Sequence, residues 1–338
     1  MIKHFTIPVF IPELACPFQC AFCNQRKISG HIAVPGRDEI IKTVNDHLKT
    51  FPKGEKHIEI GFFGGSFTGL PLWEQEQFLK PAKRYLDEGV ISGIRLSTRP
   101  DYINPEILQL LKKYGVTSIE LGAQSFDEGV LLKSHRGHTA KQTEEASAMI
   151  INEGFKLGLQ MMIGLPGDTL DKALFTAHRI WKLGASCTRI YPTVVIKDTA
   201  LHHWYKTGKY KPLSLEEAVR WTKHLLPVFE TNGVKVIRTG LHPSEGLLSG
   251  DELVEGPFHP SFKELVLTEM YYDRLITIKG AATDKLTITV PAKELNAAIG
   301  YKAKNKKMLQ QKFKEVIFKA DKNLQKGKML INLSGSGE

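Results

Sequence analysis

The chain has 338 residues, 42% of them hydrophobic, which is enough for one large core or for a large domain with a small companion. No stretch approaches the roughly 18 apolar residues that span a membrane. The short apolar run after Lys3 and His4 is broken by Pro8 and Pro12, so a signal peptide is not expected and the protein is predicted to be cytoplasmic, with no membrane partner. The net charge is +10 and uneven: residues 275–338 hold thirteen Lys, no Arg and five Asp or Glu, and so carry +8 of it. That asymmetry suits either a polyanion-binding end or a solvated lysine-rich surface.

In chain order, short apolar runs alternate with longer amphipathic ones. Strands are expected at 5–11, 57–62, 93–97, 117–122, 158–163, 187–191 and 234–238, and helices at 37–50, 71–90, 105–114, 140–154, 169–183 and 214–231. Gly115, Gly154, Gly184 and Gly233 each follow a helix where a C-cap belongs. This alternation predicts an α/β fold with a parallel sheet and right-handed crossovers, either doubly wound or a barrel. In a barrel, function would sit at the C-terminal ends of the strands. Residues 241–274 lack a clear period and hold Pro243, Gly246, Gly250, Gly256, Pro257 and Pro260. They read as a segment connecting a core of residues 1–240 to a C-terminal module of residues 275–338. In that module, strands at 275–279 and 285–290, helices at 292–299 and 304–314, and strands at 315–320 and 328–333 predict a small α+β unit.

Three of the four cysteines fall within eight residues, as Cys16-Pro17-Phe18-Gln19-Cys20-Ala21-Phe22-Cys23, just after the first strand. In a large chain for which no leader is expected, such spacing points to metal rather than disulfides. Thiolates are the usual ligands of iron–sulfur clusters, and three of them leave one iron of a 4Fe-4S cluster open to chelate a second ligand. A structural zinc site wants four closed ligands. No fourth Cys or His lies nearby; His31 is eight residues beyond Cys23. Cys187, at the start of the sixth strand, reads as a small buried apolar residue.

With these motifs, residues 5–240 resemble radical S-adenosylmethionine (SAM) proteins of the type related to the elongator catalytic subunit. They resemble the anaerobic coproporphyrinogen dehydrogenase group more loosely. A segment VIRTGLHP…VEGPFHPSFKELV, near 236–266, is similar to one in compact bacterial members of the elongator-like group. The resemblance implies a partial TIM barrel of about six βα units, with a 4Fe-4S cluster on Cys16, Cys20 and Cys23. It further implies SAM cleaved to a 5′-deoxyadenosyl radical and an electron donor such as flavodoxin or ferredoxin.

The resemblance also carries over site residues. Phe22, the aromatic before the last Cys, joins the cofactor-binding set. Gly64-Gly65-Ser66 resembles a Gly-Gly-Glu element whose backbone meets the SAM amino group, with Ser66 in place of Glu. Ser97 and Arg99 lie in a strand end near the SAM ribose; an ion pair of Arg99 with Asp101 is the other reading. Gln124 and Arg136 match positions that contact SAM polar groups, and Arg suits a carboxylate. Gly164-Leu165-Pro166-Gly167 matches a family turn. Four residues before it, Gln160 stands where relatives place an Asp on the ribose hydroxyls. His135, His138, Tyr191, Lys197, His202, His203, Arg238 and His242 are softer candidates for lining a substrate cavity.

In the tail, a helix, Gly300-Tyr301-Lys302-Ala303 and a second helix resemble a KH RNA-binding module, with Ala303 in place of the second Gly of its Gly-x-x-Gly loop. Gly300, Lys302, Lys304, Lys306 and Lys307 are its candidate RNA-binding residues. A helix cap followed by a solvated lysine face is the alternative. The leading expectation is therefore a radical SAM enzyme that modifies RNA, with tRNA as the partner. A small-metabolite enzyme, on a tetrapyrrole for example, and a non-catalytic cluster- or RNA-binding protein are the alternatives. The sequence lacks an Arg-x-x-Gly-x-Gly/Ala acetyl-CoA element, so elongator-type carboxymethylation by this chain alone is not expected.

Overall fold

In the computed structural model, which describes residues 3–11, 20–24 and 35–335, each strand expected in the first 240 residues forms. The elements run β1 (Lys3–Ile11), α1 (Arg37–Thr50), β2 (Lys56–Gly64), α2 (Leu72–Asp87), β3 (Gly93–Thr98), α3 (Pro105–Lys113), β4 (Val116–Gln124), α4 (Glu128–Lys133), α5 (Ala140–Asn152), β5 (Lys156–Ile163), α6 (Leu170–Lys182), β6 (Cys187–Pro192), β7 (Val195–Ile196), α7 (Ala200–Lys206), α8 (Leu215–Thr231) and β8 (Lys235–Thr239). Strands β1 to β6 and then β8 pair side by side in chain order, all parallel. Each crossover adds its strand beside the last, so the helices collect on one face. β1 and β8 are the two edges, which makes the sheet a curled, open partial barrel rather than a closed one.

The strand period of two sorts the side chains. Ile58, Ile60 and Phe62 of β2 are buried toward the helices, where Phe62 meets Phe67 and Phe78 at ring distances of 5.2 and 6.2 Å. Their neighbours Glu59, Gly61 and Phe63 face the concave side. The helices begin where the chemistry of their first residues allows. Asn104 accepts from Ile107 N–H ahead of α3, and Thr139 with Gln142 forms a full capping box ahead of α5. The four expected capping glycines all take positive φ, between 71° and 86°.

The chain divides into two units, Met1–Ser214 with Leu225–Phe258 and Leu215–His224 with His259–Glu338. In the first, α9 (Glu245–Ser249) is followed by β9 (Leu253–Glu255), which pairs with β7. In the second, α10 (Phe262–Leu275) precedes β10 (Lys285–Pro291), α11 (Leu295–Ile299), α12 (Lys304–Gln310), β11 (Glu315–Asp321) and β12 (Leu330–Ser334). β10 is central, parallel to β11 and antiparallel to β12. Tyr271, Leu275, Leu286, Ile288, Leu309, Phe313 and Val316 form its core.

Two expectations are corrected here. The segment without a clear period contains α10, whose apolar residues Leu265, Val266, Leu267 and Met270 lie all around the helix and blur any amphipathic stripe. The strand expected at 275–279 does not form: Leu275 ends α10, and Ile278 N–H turns back onto its carbonyl at 3.2 Å. No helix among the described residues is long and apolar enough to cross a membrane.

Candidate functional site

Of the cofactor-site residues expected in the first unit, Gly64, Ser97, Arg99 and Gln124 lie at the C-terminal ends of strands, and Gln160 lies within β5. Cys23 N–H donates to Cys20 O at 3.0 Å, which closes a tight turn between the two cysteines. The turn is pinned from both flanks: Ala21 N–H donates to Ser134 O at 3.0 Å, and Leu201 N–H donates to Ala21 O at 2.7 Å. Phe22 packs between two apolar clusters, one of Val130, Met162 and Leu165, the other of Val195, Leu201 and Tyr210. Cys20 is buried at 6% exposure and Cys23 is half-buried. Cys16 lies outside the described residues, and no group of three His, Cys, Asp or Glu gathers among those described.

Two guanidiniums converge on Cys20. Arg136 (7% exposed) donates from Nη1 to Cys20 Sγ at 3.1 Å and from Nη2 to Gly122 O at 2.8 Å. Arg99 (2% exposed) turns Nη1 toward the same sulfur at 4.0 Å. Its other nitrogens bind Asp101 in a bidentate pair at 2.9 Å, so the ion pair and the approach to the cysteine loop coexist. Arg136 has no carboxylate partner among the described residues, and its buried Nε has no hydrogen-bond partner. A buried cation aimed at a thiol and lacking a carboxylate suits an anionic group at this spot, so the residues present fit a thiolate-held cluster with a carboxylate-bearing ligand.

Glycine leaves room for this arrangement. A Cβ at Gly122 would lie 2.8 Å from Arg136 Nη2 and 3.0 Å from Gln124 Nε2. Gln124 sits at φ 63°, beside a register shift in β4, and accepts from Gln160 Nε2 at 3.2 Å, so these two expected residues touch each other. Gly64, at φ 108°, has Ile11 O only 2.4 Å from where a Cβ would stand, and Gly65 N–H donates to the same oxygen at 2.9 Å. The glycine pair thus fastens the end of β1, from which the cysteine segment departs. Ser66 is buried, and Ser97 is half-buried on the concave face, in register with Glu120. The Gly164–Gly167 turn is closed by Asp168, which accepts Gly164 N–H at 2.9 Å, and by the Tyr210 hydroxyl on Gly164 O at 2.6 Å.

Among the softer candidates, His138 is buried at 4% exposure with Nε2 3.3 Å from Ala123 O. Burial first, then the charges of Arg136 and Arg99, push its pKa down to about 2, so the ring is neutral. His135 stacks edge-on against Trp204. Lys197, His203 and His242 are exposed and His202 is half-buried. Tyr191 and Arg238 belong to a feature that was not expected, a charged layer across the concave face.

In that layer Arg95 bridges Glu59 and Glu120 at 3.0 and 2.9 Å, and Glu120 also binds Arg189 at 2.6 and 3.1 Å. Arg189 reaches the Tyr191 hydroxyl at 3.4 Å and lies over the Phe63 ring, and Arg238 is its register partner on β8. Charged residues at alternate positions of otherwise apolar strands are the signal that could have revealed this layer.

The sequence pattern of the radical SAM superfamily matches residues 11–180, half of the chain, and that of the radical SAM C-terminal domain matches residues 185–272. The chain belongs to the radical SAM superfamily. Among relatives, it is 27% identical over 245 residues to human Elongator complex protein 3, covering 67% of this chain and 44% of that protein. It is 23% identical over 240 residues to the tRNA uridine(34) acetyltransferase of Dehalococcoides mccartyi (strain CBDB1), covering 61% of this chain and 52% of the relative. This radical SAM chain therefore spans about half the length of these relatives. The solved archaeal Elp3 of Methanocaldococcus infernus superposes with a TM-score of 0.66 at 21% identity, over 81% of this chain and 64% of that one, which shows a shared fold.

The second unit of this radical SAM protein contains the expected helix–loop–helix. Gly300 is buried at φ 86°, and its N–H donates to Asn296 O. Tyr301 N–H donates to Thr268 Oγ1 and Ala303 N–H to Gly300 O, so three backbone donors of the loop are already used. Lys304 is paired with Glu269 of α10. Lys302 and Lys307 are exposed and Lys306 half-buried.

Proposed function

We propose that this chain is a cytoplasmic radical SAM enzyme that modifies RNA, with tRNA as its substrate class. The observation that carries the reading is the convergence of Arg136 and Arg99 on Cys20 at the C-terminal ends of a radical SAM sheet. The names of the similar proteins, tRNA uridine(34) acetyltransferase among them, favour tRNA. Cys16, Cys20 and Cys23 would hold a 4Fe-4S cluster, which when bound supplies the electron that cleaves SAM to a 5′-deoxyadenosyl radical. A flavodoxin or ferredoxin would deliver that electron.

The chain's own groups do the rest. Arg136 has an unused buried donor for a carboxylate. The Gln124–Gln160 amide pair, held together at 3.2 Å, can bind hydroxyls in place of a carboxylate. Gly64, Gly65 and Ser66 fix the strand end beside the cysteine segment, while Phe22 seals the loop against water with apolar contacts on both sides. His138 stays neutral and adds no competing cation. In residues 275–338, Lys302, Lys306 and Lys307 offer side-chain charges to phosphates, since three of the four backbone donors of the Gly300–Ala303 loop are already taken.

The test is anaerobic. The reconstituted protein is incubated with SAM, reductant and bulk tRNA, and 5′-deoxyadenosine and modified nucleosides are quantified. Stimulation by tRNA is the expected result. Stimulation by a reduced tetrapyrrole and not by tRNA would replace this reading with the small-metabolite one.

A further inference from the structure

Residues 197–211, which include α7, set exposed cations and aromatic rings directly against the cysteine loop. Leu201 N–H donates to Ala21 O, and Trp204 and Tyr205 pack with Phe22 around Leu201 and Tyr210. His135 follows Ser134, whose carbonyl holds Ala21. It sits at φ 52° and meets the Trp204 ring edge-on, with centroids 5.1 Å apart. A non-glycine residue at such a φ is uncommon.

Lys197, Lys206, Lys209 and Lys211 are exposed, and none has a carboxylate partner among the described residues. Several helix lysines elsewhere in the same unit are paired with a carboxylate: Lys49 with Asp46, Lys80 with Glu76, Lys83 with Asp87, Lys112 with Glu153 and Lys141 with Glu145. Asp198 is the one acidic residue in the segment, and Glu255 takes a weak hydrogen bond from the Tyr205 hydroxyl at 3.4 Å. Residues 197–211 thus carry four lysines against one acidic residue. An acidic protein would answer the charge alone. A nucleic-acid single strand answers both features, with phosphates for the lysines and bases for the rings.

We propose that residues 197–211 receive a single-stranded segment of RNA beside the cysteine loop, with a base on the Trp204 and His135 rings and phosphates on Lys206, Lys209 and Lys211. The inference rests on the RNA reading above and adds where the strand enters. It makes α7 the element that brings a target nucleotide within reach of the cysteine loop, since the two share a hydrogen bond.

The test uses the full chain and labelled bulk tRNA, with affinity measured by fluorescence anisotropy between about 50 and about 200 mM salt. K206E/K209E/K211E is expected to lose more than about tenfold in affinity, and its log–log salt slope to become shallower by about 2. Trp204→Ala is expected to weaken binding of a single-stranded probe by about tenfold without changing the slope. The lysine variant, altered only on the surface, is expected to melt with the wild type. If wild type binds tRNA and the lysine variant binds equally well with the same slope, this surface is wrong while the RNA reading stands. If wild type binds no RNA, both fall. If the lysine variant keeps its tRNA affinity but can no longer be reduced by flavodoxin, the surface docks an acidic electron carrier and the RNA proposal is overturned.

Discussion

Glu120→Gln removes one charge from the concave face of the sheet and keeps the side chain's shape. The Glu120 side chain is 5% exposed and that of Arg189 17%. Burial alone would lower the Arg189 pKa; the hydrogen bonds and charge of Glu120 outweigh it and hold it raised. Arg95 would keep Glu59 at 3.0 Å, whereas Arg189 would exchange two charged acceptors for one neutral amide oxygen, beside the Tyr191 hydroxyl at 3.4 Å and the Phe63 ring at 5.2 Å. Removing one partner of a buried pair costs about 3–5 kcal/mol, and a cation over an aromatic face returns about 1 kcal/mol at most here. Glu120→Gln is therefore expected to destabilise the first unit by about 3 kcal/mol.

Urea unfolding followed by tryptophan fluorescence measures this, since Trp73, Trp181 and Trp204 all lie in that unit. The midpoint should fall with an unchanged slope. Adding Arg189→Met removes the stranded cation and should restore about 2 kcal/mol. A single variant that loses under about 0.5 kcal/mol, or a double variant no more stable than the single, would refute the reasoning.

The remaining predictions concern the site and the tail. His138 is held neutral in the folded state, while the unfolded chain takes up a proton below about 6.5. Stability should thus fall as pH drops below that value, by roughly 2 kcal/mol at about pH 5 from this group. His138→Gln should remove that part of the slope in urea titrations at the two pH values, and an identical slope in both proteins would contradict the assignment. Gly122→Ala meets only the ends of Arg136 and Gln124, so it should cost under about 1 kcal/mol in stability while lowering SAM affinity about tenfold by equilibrium dialysis. Unchanged SAM affinity would remove Arg136 from the binding set. Gly300→Ala forces a Cβ to 2.9 Å from Asn305 N at φ 86° and should destabilise the second unit by about 2 kcal/mol, read from hydrogen exchange in β10; equal protection would show that the loop relaxes freely.

Much of this was legible in the sequence because its signals are local. Strand and helix periods, the capping glycines and the cysteine spacing are each contained in a few consecutive residues. Of the two readings of Arg99, the structure shows the ion pair with Asp101, with Nη1 turned toward Cys20 as well. The charged layer was not legible. Arg95, Glu120 and Arg189 are 25 and 69 residues apart, and only strand register brings them together. The pairing of Gln124 with Gln160 depends on a register shift in β4 that no pattern announces. α10 was missed because apolar side chains surround it, and 275–279 read as a strand because Ile276 and Ile278 alternate, although both follow a helix that the chain has just left.

The most direct test of the account is the anaerobic production of 5′-deoxyadenosine from SAM by the iron- and sulfide-reconstituted protein, with Cys20→Ala beside it. Product is expected from the wild type and none from the variant. A wild type that binds a cluster yet yields no 5′-deoxyadenosine would contradict it, and would leave the chain as a binding protein built on a radical SAM fold.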